Sequence, residues 1–238
     1  MARVLVIGDV HEPATHPGYF HFVRDLRRTW KCGKVVFIGD LLDFHQISFH
    51  PAEPVADGPL REQESAAESI ARWHRTFPGA YVCIGNHDER VARLAATVNI
   101  PARFLRDYSD LWRTPSWDWV RDVTIDGVHY LHGTGLGGQQ PALSAARASM
   151  VSTVCGHVHS VAGVRWTAGP DRRIFGMDVG CGVDIEHPAM KYGRNMVRKP
   201  ILGAGVVIDG KQPHWLAMEI GKGGKYHRSR FQKGKGRQ

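Results

Sequence analysis

Val4-Leu5-Val6-Ile7-Gly8-Asp9-Val10-His11 decides the fold. Four aliphatic residues run without a polar break, a glycine follows, and two side chains able to bind metal come within three positions of it. A short continuous apolar run of this kind fits a strand buried on both faces. The glycine allows a sharp turn where the strand ends. Asp9 and His11 then lie just past the strand's carboxyl end, the edge at which open α/β sheets bind ligands.

The same design recurs at Val35-Val36-Phe37-Ile38-Gly39-Asp40, at Tyr81-Val82-Cys83-Ile84-Gly85-Asn86 and at Val151-Ser152-Thr153-Val154-Cys155-Gly156-His157. Helical patterns separate the first three runs. Pro17 to Trp30 places Phe20, Val23, Leu26 and Arg27 near one face, residues 60–77 have helix-forming composition after Gly58 and Pro59, and Asp88 to Thr97 alternates charge and aliphatics at helical spacing. Strand–helix–strand–helix–strand predicts a βαβ sheet. Hairpin signals follow: Val123–His132 around Asp126-Gly127, Val164–Thr167 with Arg173–Met177, and Ile201 to Glu219 around Asp209-Gly210. The expectation is one domain over residues 1–220, an α/β half followed by a β-rich half, closing as a two-sheet core with helices outside.

A chain of 238 residues holds one domain or at most two and can bury a core without disulfides. Its 42% hydrophobic and 23% charged residues exclude a disordered chain. No stretch approaches the ~18 unbroken apolar residues of a membrane span, so no membrane partner is expected. Asp9 and His11 interrupt the first apolar run too early for a secretory segment. Cys32, Cys83, Cys155 and Cys181 lack CxxC spacing and read as reduced thiols of a cytoplasmic protein. The net charge of +8 is concentrated at one end. Residues 221–238 carry Lys222, Lys225, Arg228, Arg230, Lys233, Lys235 and Arg237 and no acid, which leaves the body nearly neutral. By composition this segment is a disordered basic tail, either an arm for nucleic acid or a solubilising end.

The 14 histidines gain meaning from position. Asp9 and His11, Asp40, Asn86-His87-Asp88, His132, and His157 and His159 all follow predicted strands or lie at their ends. An i, i+2 pair places both side chains on one side of an extended segment, so several can reach one cluster. Carboxylate, imidazole and amide without thiolate suit Mn²⁺, Fe, Zn²⁺, Co or Ni²⁺. A carboxylate between two ions about 3.5–4 Å apart forms the clamp used in phosphoryl chemistry.

In combination, Asp9-Val10-His11, Gly39-Asp40-Leu41-Leu42-Asp43, Gly85-Asn86-His87-Asp88, His132-Gly133 and Gly156-His157-Val158-His159 resemble the motifs of the calcineurin-like metallophosphoesterases, over about residues 3–160. The resemblance implies a four-layer α/β/β/α sandwich of two mixed sheets around a dinuclear centre. It implies that Asp9, His11 and His159 bind one metal, that Asn86, His132 and His157 bind the other, and that Asp40 bridges. It also implies His87 as the acid near the phosphate, with Asp43 orienting its ring. His129 competes with His132, but its parity puts it on the other strand face. The protein phosphatase branch usually has Arg after the second-motif Asp and Glu after the Asn-His pair; here Phe44 and Asp88 stand there. That weakens a phosphoprotein substrate and leaves phosphodiesterase, nuclease and small-molecule phosphatase branches.

The expected reaction is in-line attack on phosphorus by the hydroxide between two divalent ions, Mn²⁺ first among them, with His87 protonating the leaving alkoxide. Two loops are expected to select substrate: Phe44–Pro59, with His45, Phe49 and His50, and Gly180–Pro200, with His187, Lys191, Tyr192, Arg194, Arg198 and Lys199. The basic and aromatic residues of the second suit a phosphate-bearing, base-stacking substrate. Phosphodiesters of DNA, RNA or nucleotides are therefore the expected substrates. A small-molecule phosphomonoesterase is the alternative, and a non-catalytic nucleic-acid-binding scaffold comes after it.

Overall fold

Alternation along β1 (Arg3–Ile7) sets up the layers. Leu5 and Ile7 face one apolar cluster, Val4 and Val6 another, because successive strand residues point to opposite faces. The computed structural model describes residues 2–47, 58–190, 197–221 and 223–226. After β1 come α1 (Tyr19–Trp30), β2 (Lys34–Phe37), α2 (Pro59–Thr76), β3 (Tyr81–Cys83), α3 (Arg90–Thr97), α4 (Tyr108–Leu111) and β4 (Asp118–Val120). Then follow β5 (Asp122–Ile125), β6 (Val128–Leu131), α5 (Pro141–Ser149), β7 (Ser152–Cys155), β8 (Ala162–Ala168), β9 (Arg173–Val179), β10 (Gly203–Ile208) and β11 (Gln212–Ala217).

Two mixed sheets result, ordered β11-β10-β1-β2-β3-β4 and β5-β6-β7-β9-β8. β1, β2, β3 and β4 run parallel, and β10 joins β1 antiparallel with Val4 opposite Val207. In the second sheet β6, β7 and β9 are parallel. Between the sheets lie Val4, Val6, Val36 and Ile38 from one side and Tyr130, Val154, Phe175 and Met177 from the other. On the outer face of the first sheet, Leu5, Phe37 and Val82 meet α1 through Phe22 and Leu26 and α2 through Ile70 and Trp73. Helix α5 packs on β7 and β9 outside the second sheet. The four layers are therefore helix, sheet, sheet, helix.

Helix α2 forms because Pro59 stands at its first turn, where no N–H is needed. It buries Ala66, Ile70 and Trp73, at the spacing of one helical face. Trp73 is fully buried; it stacks on Phe77 and donates its indole N–H to Glu12 Oε1 at 2.6 Å. Truncating it to Ala would cost about 3–5 kcal/mol by cavity formation. Helix α5 takes its first turn's support from another element, since the Ala142 N–H donates to Asp178 Oδ1 of β9 at 3.1 Å.

The hairpin turns follow their chemistry. Asp126-Gly127 and Asp209-Gly210 all have positive φ, between 51° and 75°, as a two-residue turn matched to strand twist requires. One difference from the sequence reading, and two placements it left open, are instructive. The helix expected from Asp88 starts at Arg90, because Asp88 is pulled into the interior by main-chain donors. The run at 151–155 joins the second sheet, apart from the other three. The last hairpin returns to the first sheet beside β1, so the two halves of the chain do not map onto the two sheets. Residues 48–57 and 191–196, and all but residues 221 and 223–226 of the basic tail, lie outside the described residues.

Candidate metal centre

The parallel strands of both sheets deliver their carboxyl ends to one edge. β1 leads to Asp9 and His11, β2 to Asp40, β3 to Asn86 and His87, β6 to His132, and β7 to His157 and His159. Main-chain bonds lock these ends together. The N–H groups of Val10 and His11 donate to the Asp40 carbonyl at 3.1 and 2.9 Å, and the N–H of His157 donates to Asp9 Oδ2 at 2.8 Å. His11, Asp40 and His157 have φ of 56°, 47° and 68°. Such left-handed residues cost on the order of 1–3 kcal/mol each and persist where surrounding structure imposes them, typically at functional sites.

Two of the repeated glycines serve a purpose other than turning. A Cβ at Gly85 would strike Asp40 Oδ1 and its main-chain N; one at Gly156 would strike Asp9 Oδ1 and meet Ile38 at 2.6 Å. Each strand-end glycine makes room for the carboxylate of a neighbouring strand.

The side chains gather in overlapping sets. Asp9, His11 and His159 form one, with Asp9 Oδ2 and His11 Nε2 at 3.1 and 3.2 Å from His159 Nε2. Asp40, His132 and His157 form another: His132 Nε2 is 3.2 Å from Asp40 Oδ2, 3.2 Å from His157 Nδ1 and 3.1 Å from Asn86 Oδ1. Asp40 Oδ2 also lies 3.7 Å from His11 Nε2, so one oxygen stands between the two sets. A third grouping is His11, Asp40 and His87. Ligand atoms within each set lie within 4.8 Å of one another. His129 instead contacts Asp122 at 3.1 Å across the β5–β6 pair, away from the cluster.

The donors fit divalent cations. Asp9 Oδ1 is buried and finds no hydrogen-bond partner among the described residues, and Asp43 Oδ2 is in the same position. An unpaired buried carboxylate oxygen is costly unless a cation faces it. Burial opposes a charge on His132, yet Asp40 and Asp9 outweigh it and push its pKa up to about 10. Burial would raise Asp40, but His132, His87 and His11 hold it well below the usual carboxylate range. His11 and His157, by contrast, are lowered by burial and by neighbouring histidines, which favours the neutral, ligating imidazole.

Asp43 serves two rings. Its Oδ1 is 2.9 Å from His11 Nδ1 and 3.3 Å from His87 Nδ1, while its main-chain carbonyl accepts from His87 Nδ1 at 2.8 Å. Burial opposes a charge on His87, but the bond to Asp43 and the charge of Asp40 outweigh it and raise its pKa. Arg90, which the sequence reading missed, sits one helical turn beyond His87. Its Nη1 donates to the carbonyls of Asp43 and Phe44, each at 2.8 Å, and its Nη2 is 3.1 Å from His87 Nε2. The i, i+3 spacing from His87 was the available signal. Glu62 was missed as well, and Asp88, read from the sequence among the metal-binding residue types, joins none of the three sets. Asp88 is buried and accepts from the N–H groups of Leu42 and Gly85, and burial with the nearby Asp40 pushes its pKa up to about 7. Glu62 of α2 accepts from His45 N and Gln46 N at 2.6 and 3.0 Å, holding the segment after β2. His187 accepts from Ala189 N at 3.2 Å and joins none of the three sets.

A cavity of about 600 Å³ opens over the cluster. Its floor is Asp40, Asn86, His87, His157 and His159, and its far wall includes Ile185, Met190, Arg198 and Lys199.

A family model for calcineurin-like phosphoesterases matches residues 2–171. No curated protein matches the chain in sequence. Similar solved structures include Vacuolar Protein Sorting 29 from Cryptosporidium parvum, 15% identical, covering 91% of this chain and 98% of that one with a TM-score of 0.42. Vps29 from Chaetomium thermophilum is 13% identical, with coverages of 95% and 94% and a TM-score of 0.46. YfcE, a phosphoesterase from E. coli, is 14% identical, with coverages of 91% and 100% and a TM-score of 0.42.

Proposed function

The chain belongs to the calcineurin-like phosphoesterase family, and on that premise we propose that it hydrolyses phosphodiesters of nucleic acids or nucleotides with two divalent cations. The sulfur-free donor set suits Mn²⁺, Fe, Zn²⁺, Co or Ni²⁺, and Mn²⁺ is the first cation to supply in a test. Asp9, His11 and His159 would hold one cation, Asn86, His132 and His157 the other, and Asp40 would serve both. The observation that carries this reading is the position of Asp40 Oδ2, 3.2 Å from His132 Nε2 in one set and 3.7 Å from His11 Nε2 in the other.

Two such cations, when bound, supply positive charge against the phosphate oxygens and lower the pKa of water toward neutrality. The remaining work falls to side chains. His87 gives a proton to the leaving alkoxide from Nε2, the ring atom turned away from Asp43 by the Nδ1 bond to its carbonyl and facing Arg90 Nη2. Its raised pKa keeps more of it protonated near neutral pH. An oxygen arriving at Nε2 also meets Arg90 Nη2, a second donor to developing negative charge. His132 is held for ligation by its Nδ1, which donates to the Ile38 carbonyl at 3.2 Å and turns Nε2 toward the cluster.

The test is a Mn²⁺-supplemented screen of single-stranded DNA, plasmid DNA, RNA, cyclic nucleotides and phosphomonoesters. Diesters should be turned over with kcat/KM well above monoesters. Turnover of monoesters alone would move the protein to the small-molecule phosphatases. No turnover with two cations bound would overturn the catalytic reading.

A further inference from the structure

The cavity wall is the part of the site that the family motifs do not supply. The matched segment ends at residue 171, whereas Ile185, Glu186, Met190, Arg198, Lys199 and Pro200 all line the cavity from beyond it. This wall is built into the fold. Ile201 N–H donates to the His159 carbonyl at 2.8 Å, and the Ile201 carbonyl accepts from Cys181 N at 3.0 Å. Arg198-Lys199-Pro200 is thereby tied, through the next residue, to a metal-ligand position. On the other side, Asp184 N donates to the Ala14 carbonyl at 2.8 Å, and Val183, Ala189 and Met190 are buried with Ala14 and Cys181. The position of the wall relative to the cluster is therefore set by main-chain bonds and packing.

The wall combines apolar surface from Val158, Ile185, Met190 and Pro200 with the cations of Arg198 and Lys199, which outnumber the one carboxylate there, that of Glu186. A single phosphate on the floor would leave most of about 600 Å³ unfilled, since pockets of ~300–1,000 Å³ suit whole drug-sized molecules. A base-paired duplex, on the other hand, cannot bring a nucleotide into such a space without extruding it.

We propose that the cavity is a nucleotide subsite. Its apolar wall takes the nucleoside next to the scissile phosphate, and Arg198 and Lys199 take a second phosphate on that nucleoside. The substrate class is then a phosphodiester of a nucleoside bearing a further phosphate, presented unpaired. This rests on the phosphoesterase reading and narrows it: cation contacts fix the phosphate, the aliphatic wall takes any base by apolar contact, and paired strands are excluded by size.

The experiment compares three 4-nitrophenyl diesters on the Mn²⁺-loaded full chain: bis(4-nitrophenyl) phosphate, thymidine 3′-(4-nitrophenyl phosphate), and the same thymidine ester carrying a 5′-phosphate. kcat/KM should rise along the series, the 5′-phosphate adding about 10–100-fold, the range of hydrogen bonds to charged groups. Arg198→Ala and Lys199→Ala should each shrink the ratio between the last two substrates. A binding measurement stands apart from turnover: thymidine 3′,5′-bisphosphate should bind the protein about tenfold or more tightly than thymidine 3′-monophosphate by calorimetry, and Arg198→Ala should shrink that difference. Equal kcat/KM for the two thymidine esters, or equal affinity for the two nucleotides, overturns the subsite even if bis(4-nitrophenyl) phosphate is hydrolysed. Absence of all turnover sinks the phosphoesterase reading, and the binding comparison then decides the subsite. Paired and single-stranded oligonucleotides of one sequence complete the test; equal rates overturn the exclusion of duplex.

Discussion

His11 Nδ1 lies 2.9 Å from Asp43 Oδ1, with both residues buried. The carboxylate of Asp43 thus reaches a proposed metal ligand more closely than it reaches His87, 3.3 Å away. A carboxylate behind a ligating imidazole fixes its tautomer and raises its basicity, and losing it typically costs 10–100-fold in metal affinity. Asp43→Ala is therefore expected to weaken Mn²⁺ binding about 10–100-fold, and Asp43→Asn, which keeps an acceptor without the charge, by less. Calorimetric metal titration reads this directly. Unchanged affinity with reduced turnover would return Asp43 to a role confined to His87.

Asp40→Ala should empty both metal positions or leave one weakly held, because one oxygen faces both sets. Asp9→Ala or His157→Ala should weaken mainly one. Elemental analysis of purified protein distinguishes the cases, and two fully occupied metals in Asp40→Ala would remove the bridge.

His87→Ala should spare metal content while reducing turnover about 10²–10⁴-fold for esters with alkyl leaving groups. Esters of 4-nitrophenol, whose anion leaves without a proton, should lose far less. Equal losses on both types would make His87 a phosphate-positioning or ligand residue.

Asp178, buried at the start of α5, has its pKa pushed up to about 6 by burial, against which the bond from Ala142 N works. An ordinary Asp titrates near ~3.9. Between those values the folded protein keeps a proton that the unfolded chain has released, so stability falls as pH rises through that window and the loss is complete above it. Asp178→Asn keeps the acceptor for Ala142 and removes the charge. It should stabilise the protein by up to about 3 kcal/mol at pH 7.5, raising Tm by several degrees, and do little at pH 4. Thermal melts at the two pH values test this; an equal shift at both would point to packing instead of charge.

The sheet-forming runs and most of the donor side chains that gather at their ends were legible because one local design carries both: an apolar run, a glycine, then a donor. The hairpins at Asp126-Gly127 and Asp209-Gly210 were legible for the same reason, since two adjacent residues dictate the turn. What escaped reading depends on distant partners. The fourth run joins the second sheet because of pairing with β6 and β9, which no local pattern encodes. β4, three residues long with two of them half-buried, has too little pattern to register. Helix α5, PALSAARAS, offered Pro141 as a start signal but little apolar periodicity. The glycines were read as turn formers, and at Gly85 and Gly156 the reason is a carboxylate from another strand. Asp88 looked like a departure from a motif, yet its burial lets it tie Leu42 N to Gly85 N. Arg90 reaches carbonyls 46 and 47 positions away, a distance beyond any local rule.

The contacts that close the centre join residues 148 and 150 positions apart, His11 with His159 and Asp9 with His159. This separation orders events in time. At synthesis rates of about 5–20 residues per second, roughly 8–30 s pass between the emergence of Asp9 and that of its partner. Throughout that interval Asp9 and His11 lack the histidine that completes their set. The set is complete only once β7, which leads to His159, has taken its place beside β6 in the second sheet.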